Sequence, residues 1–199
     1  MEISYYELHY FKPAKSGKGG ILKFKTSLKK NDKKDVWEEL LFAELVPQKT
    51  WNGSANSTYD PANKKVVKLS VTEAGEILHT LKTNIPFQTY HKNGEGGVWI
   101  KFAYYVTKRT FGREGDKGYQ VNEVDNYALG IGGATVSISS GEAEALKVYL
   151  EKYIVSAVSL AGKEEDKKFK KKAQNKSEPK PEAPKEESET EEDEDSIPF

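Results

Sequence analysis

The residues best able to do chemistry sit on one short stretch, residues 98–107, which reads Val-Trp-Ile-Lys-Phe-Ala-Tyr-Tyr-Val-Thr. Period-two alternation sets Val98, Ile100, Phe102, Tyr104 and Val106 on one face of a strand, and Trp99, Lys101, Ala103, Tyr105 and Thr107 on the other. The first face is a core face. The second joins flat aromatic rings to a lysine. Unpaired bases stack on such rings with little regard to sequence, at roughly 1–3 kcal/mol per base, while lysine neutralises the phosphate backbone. Neighbouring segments extend this surface with Phe87, Tyr90, His91 and Lys92, with Lys23 and Lys25, and with Lys108 and Arg109 in the loop after the strand. Ordinary sheet packing accounts for most aromatic-rich strands, so the surrounding elements have to support a binding face.

Other chemistry finds little footing. His9, His79 and His91 are the only histidines, and they fall in separate elements without metal-ligand spacing. Cysteine is absent, which removes disulfides and thiolate metal sites. Gly130-Ile-Gly-Gly133 lacks the lysine and following hydroxyl of a phosphate loop, and it leads into a strand, so a turn is the better reading. Paired carboxylates lie mostly in the tail or on solvated helix faces. No catalytic constellation emerges, and no enzyme activity, cofactor or metal is expected.

The elements that must position the aromatic stretch can be read from pattern. Residues 3–11 are dense in aromatic and β-branched side chains and stop at Pro13, reading as a first strand. Residues 21–28 alternate, with Lys23 and Lys25 on the wet side; residues 40–46 and 65–71 supply two more strands. A helix follows, opened by Ser70 with Glu73 three residues on, carried by Val71, Ala74, Ile77, Leu78 and Leu81, and ended at Asn84-Ile-Pro86. The same programme then restarts: strands at 86–92, 98–107, 119–132 and 135–139, and a helix opened by Ser139 and Glu142 that Gly162 ends. The expected fold class is α+β, two four-strand-plus-helix repeats forming antiparallel sheets with helices packed on one side.

With 36% hydrophobic and 31% charged residues in 199, the chain suits one packed domain with a disordered extension. The expected boundary divides a nucleic-acid-binding domain, 1–162, from a disordered tail, 163–199. The formal charge of zero hides an asymmetry: residues 1–162 carry +4, residues 163–181 another +4, and residues 182–199 carry −8. A basic body beside an acidic tail fits a protein that binds a polyanion and whose tail competes for the same surface. No apolar run reaches the roughly 20 residues of a membrane span, and the start lacks the pattern of a signal peptide, so a soluble, cytoplasmic protein is expected. The acidic run ends in Ile197, Pro198 and Phe199. Two large apolar side chains beside Asp193, Glu194 and Asp195 serve no core; they suit a small hydrophobic pocket with a basic rim on a partner.

Two resemblances bear on these residues. The ending Asp195-Ser-Ile-Pro-Phe199 resembles the Asp-Ile-Pro-Phe tip of bacterial single-stranded-DNA-binding proteins, which implies recruitment of replication, recombination or repair enzymes in a bacterial or phage-infected cell. The segment Lys65-Val-Val-Lys-Leu-Ser-Val-Thr-Glu-Ala-Gly-Glu-Ile-Leu78, then Phe87-Gln-Thr-Tyr-His91, Gly96-Gly-Val-Trp-Ile-Lys101 and Asn126-Tyr-Ala-Leu129, is similar to the Whirly family of plant single-stranded-DNA-binding proteins. That resemblance implies single-stranded DNA lying over an exposed sheet surface, and a homo-oligomer. An RNA-binding or transcription-regulating role stays open. An oligonucleotide-binding barrel would use five strands and usually one helix, and two capped helices argue against it.

Overall fold

The computed structural model describes residues 7–31, 36–53, 55–93, 96–112, 114–115 and 117–177. Among them the order is β1 (Glu7–Lys12), β2 (Gly20–Asn31), β3 (Val36–Thr50), β4 (Thr58–Tyr59), β5 (Lys65–Leu69), α1 (Val71–Thr83), β6 (Phe87–Asn93), β7 (Gly96–Phe111), β8 (Gln120–Ile131), β9 (Ala134–Ser139) and α2 (Ser140–Ser177). A single 3₁₀ turn, Pro61–Asn63, precedes β5. The fold is α+β, with two antiparallel sheets that each run into a helix, as the pattern predicts. In sheet 1, β1, β2 and β3 are successive neighbours, and β3 pairs with β5 and, farther along, with β4. Sheet 2 has the order β6-β7-β8-β9.

Three boundaries differ from the sequence expectation. β3 extends on both sides of 40–46 and takes in Trp37 and Pro47. Proline is tolerated there because bonding resumes around it: Gln48 N–H donates to Gly19 O at 2.9 Å, and Asp60 N–H donates to Pro47 O at 2.8 Å. β7 runs on through Lys108 and Arg109, which sit in a strand and not in a loop. The second helix does not end at Gly162. α2 continues to Ser177, because residues 163–172 are mostly good helix formers, and Glu164, Glu165 and Asp166 precede lysines at helical spacing. The first compact unit extends through Glu164.

One core joins both sheets and both helices in this unit. Leu22 and Phe24 of β2, Leu41, Ala43 and Leu45 of β3, Ile100 and Phe102 of β7, and Leu129 and Ile131 of β8 are fully buried, together with Ile77 of α1 and Leu146 and Leu150 of α2. Gly20 lets β9 close on sheet 1: a Cβ there would lie 2.8 Å from Val136 Cγ2 and 2.9 Å from Val46 O. Both predicted helix starts are present. Ser70 Oγ accepts from Glu73 N–H while Glu73 accepts from Ser70 N–H, and Ser139 donates N–H and O–H to Glu142. Asn84 ends α1 in the left-handed conformation at φ 64°, and Tyr127 of β8 donates to its Oδ1 at 3.0 Å, which ties that helix end to sheet 2. Among the described residues no helix is long and apolar enough to cross a membrane.

Candidate nucleic-acid interface

In a strand with one buried face, the other is fixed by the pleat. Ile100 and Phe102 point into the core, so Trp99, Lys101, Ala103, Tyr105, Thr107, Arg109 and Phe111 share the open face of β7. Register adds Gln88, Tyr90 and Lys92 from β6, then Asn126, Ala128 and Gly130 from β8 and Thr135 and Ser137 from β9. None of these is a carboxylate. Lys92, Lys101 and Arg109 form no ion pair among the described residues.

The aromatic groups are held in place. Tyr90 and Trp99 are cross-strand partners with ring centroids 5.2 Å apart, and Lys101 Nζ lies 5.9 Å from the Trp99 ring. Both rings stay about half exposed, Tyr90 at 48% and Trp99 at 50%. The Tyr90 ring lies against Gly97, where any side chain would collide with it. Tyr105 does not stand out from the sheet. Its hydroxyl meets Ser137 Oγ on β9, two strands away, so its ring lies across β8. Beside it, Asn126 donates to Thr107 Oγ1 at 2.8 Å and to Val124 O at 2.8 Å, which fixes the strand edges. Between Trp99 and Tyr105 the small residues Ala103, Ala128 and Gly130 floor a recess of about 430 Å³, walled by Trp99, Lys101 and Thr135. A flat, partly apolar hollow with a cation at its side accepts a planar ring and an adjoining phosphate.

Not all the expected site residues meet here. Tyr90, Lys92, Trp99, Lys101, Tyr105 and Arg109 share the face. Phe87 and His91 lie on the opposite side of β6, because the pleat that exposes Tyr90 and Lys92 turns both inward. Phe87 packs against the core, and His91 Nε2 meets Glu73 Oε1 at 2.5 Å. Burial works to raise the pKa of Glu73, but its bonds from Ser70 and His91 together outweigh it and hold the carboxyl below the ordinary glutamate value. His91 therefore braces the start of α1. Lys108 points to the underside of β7, opposite Glu123. Lys23 and Lys25 lie on the outer face of the other sheet, where Lys25 Nζ is 3.3 Å from Glu7 Oε1. Asp193, Glu194, Asp195, Ile197, Pro198 and Phe199 fall outside the described residues.

Sequence reasoning missed Gln88, Phe111, Asn126, Ser137 and the small-residue floor. The alternation of β8 carries the signal, since Asn122, Val124, Asn126, Ala128 and Gly130 recur at period two.

The architecture has solved counterparts. WHY1 from Arabidopsis thaliana superposes with a TM-score of 0.52 at 14% identity, over 87% of this chain and 96% of that one. The fold is Whirly-like. WHY3 from the same plant gives 0.47 at 14% identity over 81% and 92% of the two chains. The plant transcriptional regulator PBF-2 gives 0.49 at 14% over 90% and 91%. No protein-family model and no curated protein matches the chain by sequence. The Whirly-like fold, with two open sheets, replaces the oligonucleotide-binding barrel considered from sequence.

Proposed function

We propose that this chain binds single-stranded DNA across the open face of sheet 2, coating and protecting exposed strands, and that its acidic C-terminal tip recruits replication, recombination or repair enzymes. The observation that carries the first part is the face, free of carboxylates among the described residues, on which Tyr90, Trp99 and Tyr105 flank Lys101 over a small-residue floor. A duplex offers no free base faces to such a surface, whereas a single strand offers one per nucleotide. No chemical step is assigned to the protein in this reading.

The deciding measurement is fluorescence anisotropy of the full chain with single-stranded and double-stranded oligodeoxynucleotides, and with oligouridylate, across a salt series. Tight binding to the DNA single strand, weaker binding to duplex, and an affinity that falls as salt rises are expected. Equal affinity for duplex, or affinity flat with salt, overturns the proposal, and preference for oligouridylate transfers it to RNA.

For the tip, removing residues 197–199 is expected to leave DNA affinity within about twofold while abolishing capture of a tip-reading enzyme. The −8 charge on residues 182–199 competes with DNA for the basic body, so removing that whole segment is expected to tighten binding at low salt. Unchanged enzyme capture by the shorter truncation would remove the recruiting role.

A further inference from the structure

β7 and β8 outrun the sheet they belong to. β6 pairs with β7 only as far as Phe102, and β9 pairs with β8 only from Asn126 onward. Among the described residues, 106–111 and 120–125 therefore pair with each other alone, as a two-stranded arm. The core stops at its base, where Tyr104 packs against Tyr127 and donates to Asp125 Oδ1 at 2.7 Å. Beyond that point β7 is exposed on both faces, with Val106 at 44% and Phe111 at 47%, and Val121 on β8 is 46% exposed. A two-stranded ribbon without a covered face is marginal in water, and exposed valine and phenylalanine give it no packing in return.

The two faces of the arm differ in charge. The underside sets Lys108 opposite Glu123 and Val106 opposite Asp125. The upper face sets Arg109 opposite Asn122 and Phe111 opposite Gln120, with no carboxylate, and the Arg109 guanidinium lies 5.8 Å from the Phe111 ring. This pair repeats the Trp99 and Lys101 pair on the same strand face, one cation beside one aromatic plane, with the aromatic twelve residues and the cation eight residues farther along. At about 3.3 Å per residue the two rings stand roughly 40 Å apart along β7, and the two cations roughly 26 Å. Asn126 donates to Thr107 at the join between sheet and arm, and the β7–β8 register runs through it unbroken, so the upper face continues the platform.

The geometry points to the arm as a second nucleic-acid subsite, in which Phe111 stacks a base and Arg109 contacts the adjoining phosphate, so that one strand is engaged both in the recess and at the arm. This rests on the binding proposed for sheet 2. It commits to nucleic acid as occupant because, among the described residues that pair on the upper face, Arg109 and Phe111 stand opposite Asn122 and Gln120 with no carboxylate between them, whereas a protein surface of mixed charge would match the underside.

The test compares the full chain with Arg109→Ala/Phe111→Ala and with Arg109→Lys, using oligothymidylates of about 4 and about 16 nucleotides, the span of known single-strand site sizes. Tryptophan quenching by poly(dT) gives the number of nucleotides covered. The double variant is expected to bind the longer oligomer about tenfold or more weaker, to cover fewer nucleotides per chain, and to lose about 0.7 from the salt slope, while the short oligomer is unaffected. Arg109→Lys keeps the slope and reports that the arm is still folded. Unchanged site size and slope in the double variant overturn the arm subsite while leaving the sheet 2 reading intact. A drop in oligomeric mass on light scattering with unchanged DNA binding also overturns it, by assigning the arm to contact between copies. Absence of quenching in the unaltered chain overturns both.

Discussion

Replacing Trp99 by alanine is expected to weaken single-strand binding by roughly 5- to 150-fold, the effect of removing one base stack of about 1–3 kcal/mol. The loss is placed high in that range because Trp99 organises its neighbours. Its ring faces Tyr90 at 5.2 Å and lies beneath the Lys101 ammonium at 5.9 Å, so its removal releases both from their present positions. Stability should change by less than about 1 kcal/mol, since half of this side chain is already in water. Lys101→Ala should act differently. It removes a charge and leaves the ring, so the salt slope should fall by about 0.7 with a smaller loss of affinity. Anisotropy at two salt concentrations with thermal melts of each variant checks both. A folded Trp99→Ala protein that binds as the unaltered chain does would remove sheet 2 from the interface.

The strand bearing Trp99 was legible in sequence because its alternation is strict and long. Val98, Ile100 and Phe102 left no choice of face, and register then followed. The helix starts were legible for a local reason: Ser70 with Glu73 and Ser139 with Glu142 are short-range pairs that do not depend on tertiary context. β6 was different. Phe87-Gln-Thr-Tyr-His-Lys92 has aromatic or basic side chains at both parities, so composition could not set its face. Pairing with β7 set it, sending Tyr90 to Trp99 and turning His91 toward Glu73. The end of α2 was misread because glycine only weakens a helix, by about 1 kcal/mol, and the charged residues after Gly162 favour helix enough to carry the chain past it. The arm was hidden for a related reason. Residues 108–111 are polar enough to read as a loop, and only pairing with residues 120–123 makes them strand.

Phe102→Ala tests the other face of the same strand and should give the largest loss of stability. Phe102 is fully buried, its ring stacks at 7° on Tyr127 with centroids 5.8 Å apart, and its register partner Phe87 packs against the same core. Truncation removes that stack and leaves a cavity where sheet 2 meets the inner elements, so a cost of about 3–5 kcal/mol is expected. In a unit of this size that lowers the melting temperature by roughly 10 °C. The consequence reaches Tyr127, whose hydroxyl holds the end of α1 by Asn84, and not Trp99, which points the other way. Below its lowered melting point the variant should therefore still bind single strands within a few-fold of the unaltered chain. Calorimetry and anisotropy on one preparation separate the two quantities. A Phe102→Ala protein that melts normally but no longer binds would mean that the faces of β7 are reversed from those seen here, and with them every residue assigned to the platform.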